Sequence, residues 1–420
     1  MRRRALLLSF VALLLTPVDA RALPTASPEE VGLSREPLAR IGQALNGQIE
    51  AKSFPGAAAL IARKGRVAYF ETFGQLDPKT GAPMSKDAIF RLYSMTKPFT
   101  SVAAMMLVED GRLRLTDPVG TYLPELAKLD VVGQGTDSNG KPTYTVVVAE
   151  RPVTVYDLLR HTSGLVYGGF TGSQYLKELY VKENVGWSGV TPAEQLAALA
   201  KVPLARQPGT MWEYGLSTDV VGRVVESISG VALGRFLDER LFRALGMTDT
   251  TFYLPAEKVK RLSQPLATDR ATGKPIVLHD VTVPPKNDAG GAGAASTTLD
   301  YARFLQMLAN GGQLEGKRLL AGTTVRHMTS DHLGDIKPAI PLLAPGYGFG
   351  LGFAVRRADG LNGVAGTAGE YNWGGAGGTA FWVDPKEQLV AVLMTQAQPG
   401  PWQREFRELF RQLVYQAIID

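Results

Sequence analysis

Apolar, β-branched segments occur near both ends of this 420-residue chain, with a long interval of different character between them. Near the N-terminus, residues 56–61 and 66–73 predict two strands joined by a short turn. Near the C-terminus, residues 379–383 and 389–394 predict two more. Two strands cannot cover their own apolar faces. The N-terminal pair is therefore expected to join the C-terminal strands in one antiparallel sheet, with the terminal helices packed on it.

The first 22 residues have the pattern of a secretory signal peptide. Three arginines at positions 2–4 precede an apolar run over residues 5–15, and a small-residue cleavage site follows at 20–22. The run has about a dozen apolar residues, whereas a membrane-spanning helix needs about 20. We therefore predict an exported protein, periplasmic or secreted, with no membrane span after the leader is removed. The arginines also resemble a twin-arginine signal, but the short charged region favours the general pathway.

Helices are predicted at both ends of the remaining chain and through its middle. Residues 37–50 and 406–417 each carry a helical apolar stripe. From about residue 115 the pattern changes to helices joined by Pro- and Gly-rich loops, with residues 134–142 as an exposed excursion. The fold class is thus α/β (α+β). The expected division is a signal peptide over 1–22, the first part of an α/β domain over 23–115, a mainly helical domain over 116–290, and the second part of the α/β domain over 291–420.

Composition excludes several classes of protein. The chain has no cysteine, which rules out a disulfide framework and a lipid-anchored cysteine. Residues 1–22 hold four arginines and one aspartate, a net +3 of the formal +5, so the rest is too nearly neutral for a nucleic-acid surface. The four histidines lack the spacing of metal ligands. We predict no metal site, no bound cofactor and no nucleic-acid partner.

Ser94 and Lys97 lie three residues apart, where a strand-like run gives way to a helical apolar pattern. At the start of a helix this spacing puts a hydroxyl and an amine on one face, one turn apart. A serine hydroxyl is a poor nucleophile unless a nearby base takes its proton, and a desolvated lysine can share that work. A second match, Ser138 with Lys141, lies in a polar, turn-like segment. We predict Ser94 as the nucleophile.

Five short motifs occur along the chain: SMTK at 94–97, LLRHTSGL at 158–165, PGTMWEYGLSTD at 208–219, GGAG at 290–293 and WGG at 373–375. In this order they resemble the motifs of the serine β-lactamase and penicillin-binding-protein superfamily, and most closely its class C-like branch, the family VIII carboxylesterases. The resemblance spans roughly residues 28–415. It implies a β-lactamase/transpeptidase-like fold, in which an antiparallel sheet is flanked by terminal helices and carries an inserted, mostly helical domain.

The resemblance implies that Ser94 is acylated and that Lys97 and Tyr214 act as general base and acid. A phenol with an ordinary pKa of about 10 becomes a usable base only where a cation stabilises its anion, and Lys97 is the available cation. Either Lys97 or Tyr214 can be the primary base. His161 is expected to order a loop by hydrogen bonding. A histidine triad has little support, because the GxSxG elbow of α/β-hydrolases is absent.

Trp373 stands where β-lactamases and penicillin-binding enzymes have a lysine that helps to hold a substrate carboxylate. By resemblance, Trp373, Gly374 and Gly375 line the site, and the amides of Ser94 and Ala376 form an oxyanion hole. An indole offers apolar area instead of charge, which favours neutral esters over β-lactams. Leu216, two residues after Tyr214, replaces a family asparagine and favours esters for the same reason.

Three further segments have simpler interpretations. Residues 79–81 spell KTG but precede the nucleophile and predict a turn. Residues 290–295 predict a loop that borders the cleft, since no phosphate-binding fingerprint accompanies their glycines. Residues 168–180 are rich in glycine and aromatic residues, and we expect them to overhang the cleft and to set the size of the acyl group.

Together these observations predict a secreted serine carboxylesterase that hydrolyses neutral, short-chain esters through an acyl-enzyme on Ser94. Its partner is a small-molecule ester, and the sequence leaves the oligomeric state open. Alternatives are a β-lactamase or D-amino-acid peptidase of the same fold, an acyltransferase, and a non-catalytic penicillin sensor.

Overall fold

The computed structural model describes residues 22–140, 142–397, 400 and 402–420. The predicted signal peptide, apart from Ala22, lies outside the described residues. The strands are β1 Gly56–Arg63, β2 Arg66–Asp77, β3 Ala82–Pro83, β4 Ile89–Arg91, β5 Asp130–Thr136, β6 Pro142–Val148, β7 Ala295–Thr297, β8 Gln313–Leu314, β9 Lys317–Arg318, β10 Tyr347–Phe349, β11 Ala354–Arg356, β12 Tyr371–Gly374, β13 Ala380–Asp384 and β14 Leu389–Thr395. The α-helices are α1 Arg35–Glu50, α2 Lys97–Glu109, α3 Val155–Leu159, α4 Gln174–Lys182, α5 Pro192–Leu199, α6 Ser217–Ser229, α7 Leu233–Leu237, α8 Thr298–Ala309, α9 Gly322–Met328 and α10 Trp402–Gln416.

Strands from the two ends of the chain form one eight-stranded antiparallel sheet in the order β10-β11-β12-β13-β14-β1-β2-β3. The central pair is β1 with β14, and the Thr395 hydroxyl donates a 2.8 Å hydrogen bond to the carbonyl of Gly56, 339 residues away. The predicted joining of N-terminal and C-terminal strands is confirmed. Every residue of β1 is buried, because helices cover both faces of the sheet.

The terminal helices cover one face of the sheet, as expected. Alternate β1 residues, among them Ala57 and Ile61, pack with apolar side chains of α1 and α10 such as Ile41 and Phe410. The intervening β1 residues, including Leu60, face the opposite side and join the larger core that contains α2 and α8. The nucleophile helix therefore lies on the opposite face of the sheet from the chain ends.

The middle of the chain contains helices α3–α7 and one element that the sequence analysis did not predict. Strands β5 and β6 form a regular antiparallel hairpin over residues 130–148, so the expected exposed excursion is the tip of this hairpin. Its turn at 137–140 is closed by the Gly140 amide, which donates to the Asp137 carbonyl at 3.0 Å. Residues 143–148, with their β-branched and aromatic side chains, favour a strand. Among the described residues, no helix has both the length and the apolarity that crossing a bilayer requires.

Candidate active site

Ser94 lies in a tight 3-10 turn, Tyr93–Thr96, and the α-helix begins only at Lys97. The sequence analysis expected Ser94 at the start of a helix, and the 3-10 turn that contains it runs directly into α2. Tyr93 has a φ of 48°, which is uncommon for a side chain of its size, and its hydroxyl accepts the His279 amide at 2.9 Å. The hydroxyl of buried Tyr301, on α8, donates to the Met95 carbonyl at 2.9 Å. The turn is thus held in place from several sides.

Lys97 is fully buried beneath Ser94. Its Nζ donates to Ser94 Oγ at 3.3 Å, to Tyr167 Oη at 3.2 Å and to the Gly291 carbonyl at 2.8 Å. An ammonium group has three N–H donors, and each has an acceptor here. The same Nζ lies 4.6 Å from the centre of the Tyr214 ring. A buried charge is tolerated only with such partners.

Tyr214 completes the group on the other side of Ser94. Its Oη lies 2.6 Å from Ser94 Oγ, although the two residues are 120 positions apart in the chain. The Trp373 indole N–H donates to the same Oη at 3.3 Å. Ser94, Lys97 and Tyr214 thus meet within hydrogen-bonding distance, as the sequence analysis predicts. We call these three residues, together with Tyr167 and Gly291, which hold Lys97, the catalytic floor.

A buried carboxylate stands behind the catalytic floor. Asp219 Oδ1 accepts the Gly291 amide at 3.1 Å, and Oδ2 accepts the Tyr167 hydroxyl at 3.4 Å. Burial raises the pKa of Asp219, and the nearby Lys97 charge partly offsets this. Gly291 has to be glycine, because a Cβ there would lie 2.4 Å from Asp219 Oδ2. Asp219 therefore positions Tyr167 and Gly291, the two residues that hold Lys97 together with Ser94.

His161 is buried beside Tyr214, with 4.9 Å between ring centres. Its Nε2 lies 3.3 Å from Thr218 Oγ1. Burial and the positive charge of Lys97 hold the pKa of His161 well below its usual range, so the ring is neutral. Among the described residues, the hydrogen bonds of Ser94 Oγ involve Lys97 and Tyr214 but not His161.

A cleft of about 700 Å³ opens above Ser94. Ala376, Leu216 and Ala292 line it together with Ser94. Its other side consists of residues from the segment 168–187, which we call the overhanging wall and which contains the whole predicted overhang. This placement matches the expectation for residues 168–180 and for the glycine loop at 290–293.

The WGG motif at 373–375 lies partly behind the cleft. Trp373 contacts Tyr214 and Phe349 and is not among the lining residues of the cleft. Gly375 packs against the nucleophile turn, where a Cβ would lie 2.1 Å from the Leu92 carbonyl oxygen. The structure therefore brings Ala376 to the cleft and places Trp373 against Tyr214 of the catalytic floor.

The Ala376 amide is oriented by a hydrogen bond to the carbonyl of the same peptide group. Arg407 Nη2 donates to the Gly375 carbonyl at 2.5 Å. In a trans peptide the C=O and N–H point in opposite directions, so the Ala376 N–H points away from Arg407. Among the hydrogen bonds of the described residues, none is donated by the amides of Ser94 or Ala376.

The KTG tripeptide at 79–81 and the serine of the second SxxK match lie away from the site. Residues 79–81 form an exposed turn in which the Gly81 amide donates to the Asp77 carbonyl at 2.9 Å. Ser138 occupies the exposed tip of the β5–β6 hairpin, and Lys141 lies outside the described residues. Of the two SxxK serines, Ser94 is the one that lines the cleft.

Comparison with known proteins supports this assignment of motifs. A sequence profile of the family described as Beta-lactamase matches residues 41–416. This chain belongs to the beta-lactamase family. Protein Rv1367c of Mycobacterium tuberculosis is 36% identical over 357 residues, which cover 82% of this chain and 86% of that protein. Esterase EstB of Burkholderia gladioli is 29% identical over 375 residues, which cover 85% and 90%.

A solved structure extends the comparison to the fold. EstCE1, described as a hydrolase with promiscuous acyltransferase activity, superposes with a TM-score of 0.72 at 26% identity, over 90% of this chain and 99% of EstCE1. The β-lactamase/transpeptidase-like fold and the closeness to family VIII esterases are thereby confirmed. The chain is a beta-lactamase-fold hydrolase with esterase and acyltransferase relatives.

Several site residues of this family member were not found by sequence reasoning. Asp219 lies inside the third quoted motif, so a polar residue at a predicted helix start was an available signal. Tyr167 and Arg407 lie outside every motif and carry no local signal, because only tertiary packing brings them to the site. Among the described residues, no three side chains of the metal-binding types converge on one point.

Proposed function

We propose that this protein is an exported serine carboxylesterase that hydrolyses neutral, short-chain esters through an acyl-enzyme on Ser94. The observation that carries the proposal is the meeting of Ser94 Oγ with Tyr214 Oη at 2.6 Å and Lys97 Nζ at 3.3 Å. This arrangement is that of an activated nucleophile. Export, to the periplasm or the exterior, is proposed from the leader pattern of residues 1–22 alone.

Within this proposal, Tyr214 is the group that exchanges protons with Ser94. Lys97 Nζ is surrounded by three hydrogen-bond acceptors, and one of them, the Gly291 carbonyl, cannot donate a hydrogen bond in return. These surroundings suit a charged ammonium group, which has three donors and no acceptor. The Tyr214 oxygen has the Lys97 charge near its ring and the Trp373 N–H as a donor. Both contacts stabilise a phenolate. Lys97 then serves as the cation that makes Tyr214 a base.

The reaction proceeds in two halves. Ser94 Oγ attacks the ester carbonyl and its proton passes to Tyr214, while the amides of Ser94 and Ala376 donate to the carbonyl oxygen as it gains negative charge. The bond to the alcohol oxygen breaks, and this oxygen leaves with the proton from Tyr214. Water then attacks the acyl group, Tyr214 takes the proton of the water, and Ser94 Oγ recovers it as the acid departs.

The cleft favours an uncharged acyl group. Its lining beside Ser94 consists of small or apolar side chains such as Leu216, Ala292 and Ala376. Trp373 stands where lactam-binding relatives carry a lysine, so an indole replaces the charge that would hold a substrate carboxylate at that position. The lysine that does line the cleft, Lys177, belongs to the overhanging wall. A small, apolar lining suits a short acyl chain.

The test is hydrolysis of p-nitrophenyl butyrate by the wild type and by two serine variants. Ser94→Ala is expected to lower kcat by at least about a thousandfold. Ser138→Ala, which removes the hydroxyl of the other SxxK match, is the control and should keep full activity. Full activity of Ser94→Ala would remove Ser94 from the mechanism. Faster turnover of a chromogenic cephalosporin than of esters would identify a β-lactamase instead.

Acyl transfer is the second candidate. It is favoured by the likeness to EstCE1, a hydrolase described as having promiscuous acyltransferase activity. The same acyl-enzyme would serve, with an alcohol in place of water in the second half. Product analysis with butanol added to the assay separates the two activities. Butyl ester formed in excess of free acid would indicate a transferase.

A further inference from the structure

A second groove, of about 590 Å³, lies next to the cleft. The β5–β6 hairpin borders it on one side and residues 170–173 on another. Phe170 lines both this groove and the cleft that contains Ser94. The ring of Phe170 lies 6.5 Å from that of Tyr214, centre to centre. A molecule that extends from Ser94 past Phe170 would therefore enter the groove.

A buried carboxylate without a hydrogen-bond donor lines this groove. The side chain of Glu213 is 4% exposed, and its charged neighbour is Arg206, whose Nε lies 3.7 Å from Glu213 Oε2. Beyond this ion pair, the Glu213 carboxylate accepts no hydrogen bond among those of the described residues, and Arg206 Nε is buried without a hydrogen-bond partner. Burial raises the pKa of Glu213. Buried carboxylates ordinarily have donors, so a bound molecule can supply what the protein does not.

The other lining side chains suit a neutral, hydroxyl-bearing molecule. Thr136 and Thr143 bring hydroxyl groups that have no partner among the described residues. Tyr144 is 37% exposed and stacks on Tyr175 with 5.5 Å between ring centres, which gives the groove an aromatic face. Glu213 and Arg206 have opposite charges, so together they add no net charge. The groove thus offers acceptors and donors without selecting an ion.

We propose that this groove binds the alcohol part of the ester and that this alcohol is an uncharged polyol, such as a sugar. Glu213 accepts hydrogen bonds from its hydroxyl groups, Arg206 donates to its oxygens, and Tyr144 covers its apolar ring face. The acyl group lies in the cleft at Ser94. This inference rests on the proposed esterase function and specifies the substrate class of that same site.

The experiment compares 6-O-acetylglucose with butyl acetate. Both give the same acetyl-enzyme, so a difference in kcat/KM reports on the alcohol part alone. Glu213→Gln is expected to lower kcat/KM for 6-O-acetylglucose about tenfold more than for butyl acetate. Thr143→Val should lower the same ratio to a smaller extent. The control is Thr145→Val on the same strand, because Thr145 is not among the groove residues.

The outcomes separate this inference from the esterase proposal. Equal losses on both esters in Glu213→Gln and Thr143→Val would overturn the groove assignment. So would hydrolysis of butyl acetate without hydrolysis of 6-O-acetylglucose, although the esterase function would then stand. If neither ester is hydrolysed, the esterase proposal fails, and titration of the wild type with methyl glucoside followed by NMR tests the groove directly. Absence of binding in that titration would overturn it.

Discussion

The catalytic floor and the overhanging wall face the same cleft but are built in different ways. In the floor, Lys97 is fully buried and each of its N–H donors has an acceptor. In the wall, Phe170 and Val181 are 58% and 82% exposed, and the segment contains neighbouring glycines at 168 and 169. Buried, bonded groups keep one geometry, whereas exposed groups can change without disturbing a core.

This difference separates the chemistry of the site from its selectivity. Reacting groups must be held within a few tenths of an ångström, which only a packed and fully bonded environment provides. Selectivity depends on the shape of the space above them, which the wall defines. We therefore expect floor substitutions to act on kcat and wall substitutions to act on the choice of substrate.

The largest effect is expected from removal of the floor cation. Lys97→Met keeps the side-chain length but removes the positive charge on which the proposed proton transfer from Ser94 to Tyr214 depends, and kcat for p-nitrophenyl butyrate should fall about 10²- to 10⁴-fold. Lys182→Met, on helix α4 of the wall and outside the cleft lining, is the matched control and should retain kcat. Equal kcat values for the two variants would break the distinction between floor and wall.

A smaller loss is expected from Trp373→Phe. The ring is kept, but the N–H that donates to Tyr214 Oη at 3.3 Å is lost. A hydrogen bond to a charged group contributes about 1.5–3 kcal/mol, so kcat should fall roughly ten- to a hundredfold. Trp382→Phe is the control, because the Trp382 indole nitrogen is buried without a hydrogen-bond partner among the described residues. Kinetics that match in these two variants would assign Trp373 a packing role only.

Burial of the Asp300 carboxylate also predicts that stability depends on pH. Burial raises the pKa of Asp300, at the start of α8, to about 6 from the ordinary value of 3.8. The protonated form is therefore favoured in the folded state, so this contribution is complete below about pH 4 and is lost as pH rises through 6. Asp300→Asn mimics the protonated form, because Asn can still accept from the Asp249 amide and the Thr250 hydroxyl, which both donate to one oxygen.

Denaturant unfolding between pH 4 and pH 7 measures this effect. The free energy of unfolding of the wild type should fall over this range by about 2–3 kcal/mol more than that of Asp300→Asn. Asp335→Asn, at an exposed carboxylate, controls for the loss of one negative charge. Parallel pH curves for the wild type and Asp300→Asn would show that Asp300 is already ionised in the folded protein at acidic pH.

The smallest effect on activity is expected from a substitution in the overhanging wall. Phe170→Ala enlarges the opening between the cleft and the second groove, and it should change kcat/KM for p-nitrophenyl acetate by less than about tenfold. The preferred acyl chain should become longer in a series of acetate to octanoate esters. The unfolding midpoint should stay within experimental error, because Phe170 is largely exposed. A large loss of stability would place Phe170 with the floor.

Strand periodicity anticipated the sheet, and the three-residue spacing anticipated the pairing of Ser94 with Lys97, because both are local signals. The convergence of Tyr214 on this pair was implied by the family resemblance. Sequence reasoning missed the β5–β6 hairpin, where Gly133 and Gly135 interrupt the strand pattern. It also gave Trp373 a place in the cleft lining. The contact of Trp373 with Tyr214 depends on how β12 packs against distant elements, and no periodicity within the segment specifies that.

The β1–β14 pairing affects the order in which the molecule can be completed during synthesis. One edge of β1 has no partner until the ribosome has added the last strand, which at 5–20 residues per second takes on the order of half a minute. Throughout that interval an unfinished chain presents an apolar strand edge, the kind of surface on which chains aggregate. We therefore expect the growing polypeptide to be more prone to aggregation than the finished protein until its final segment arrives.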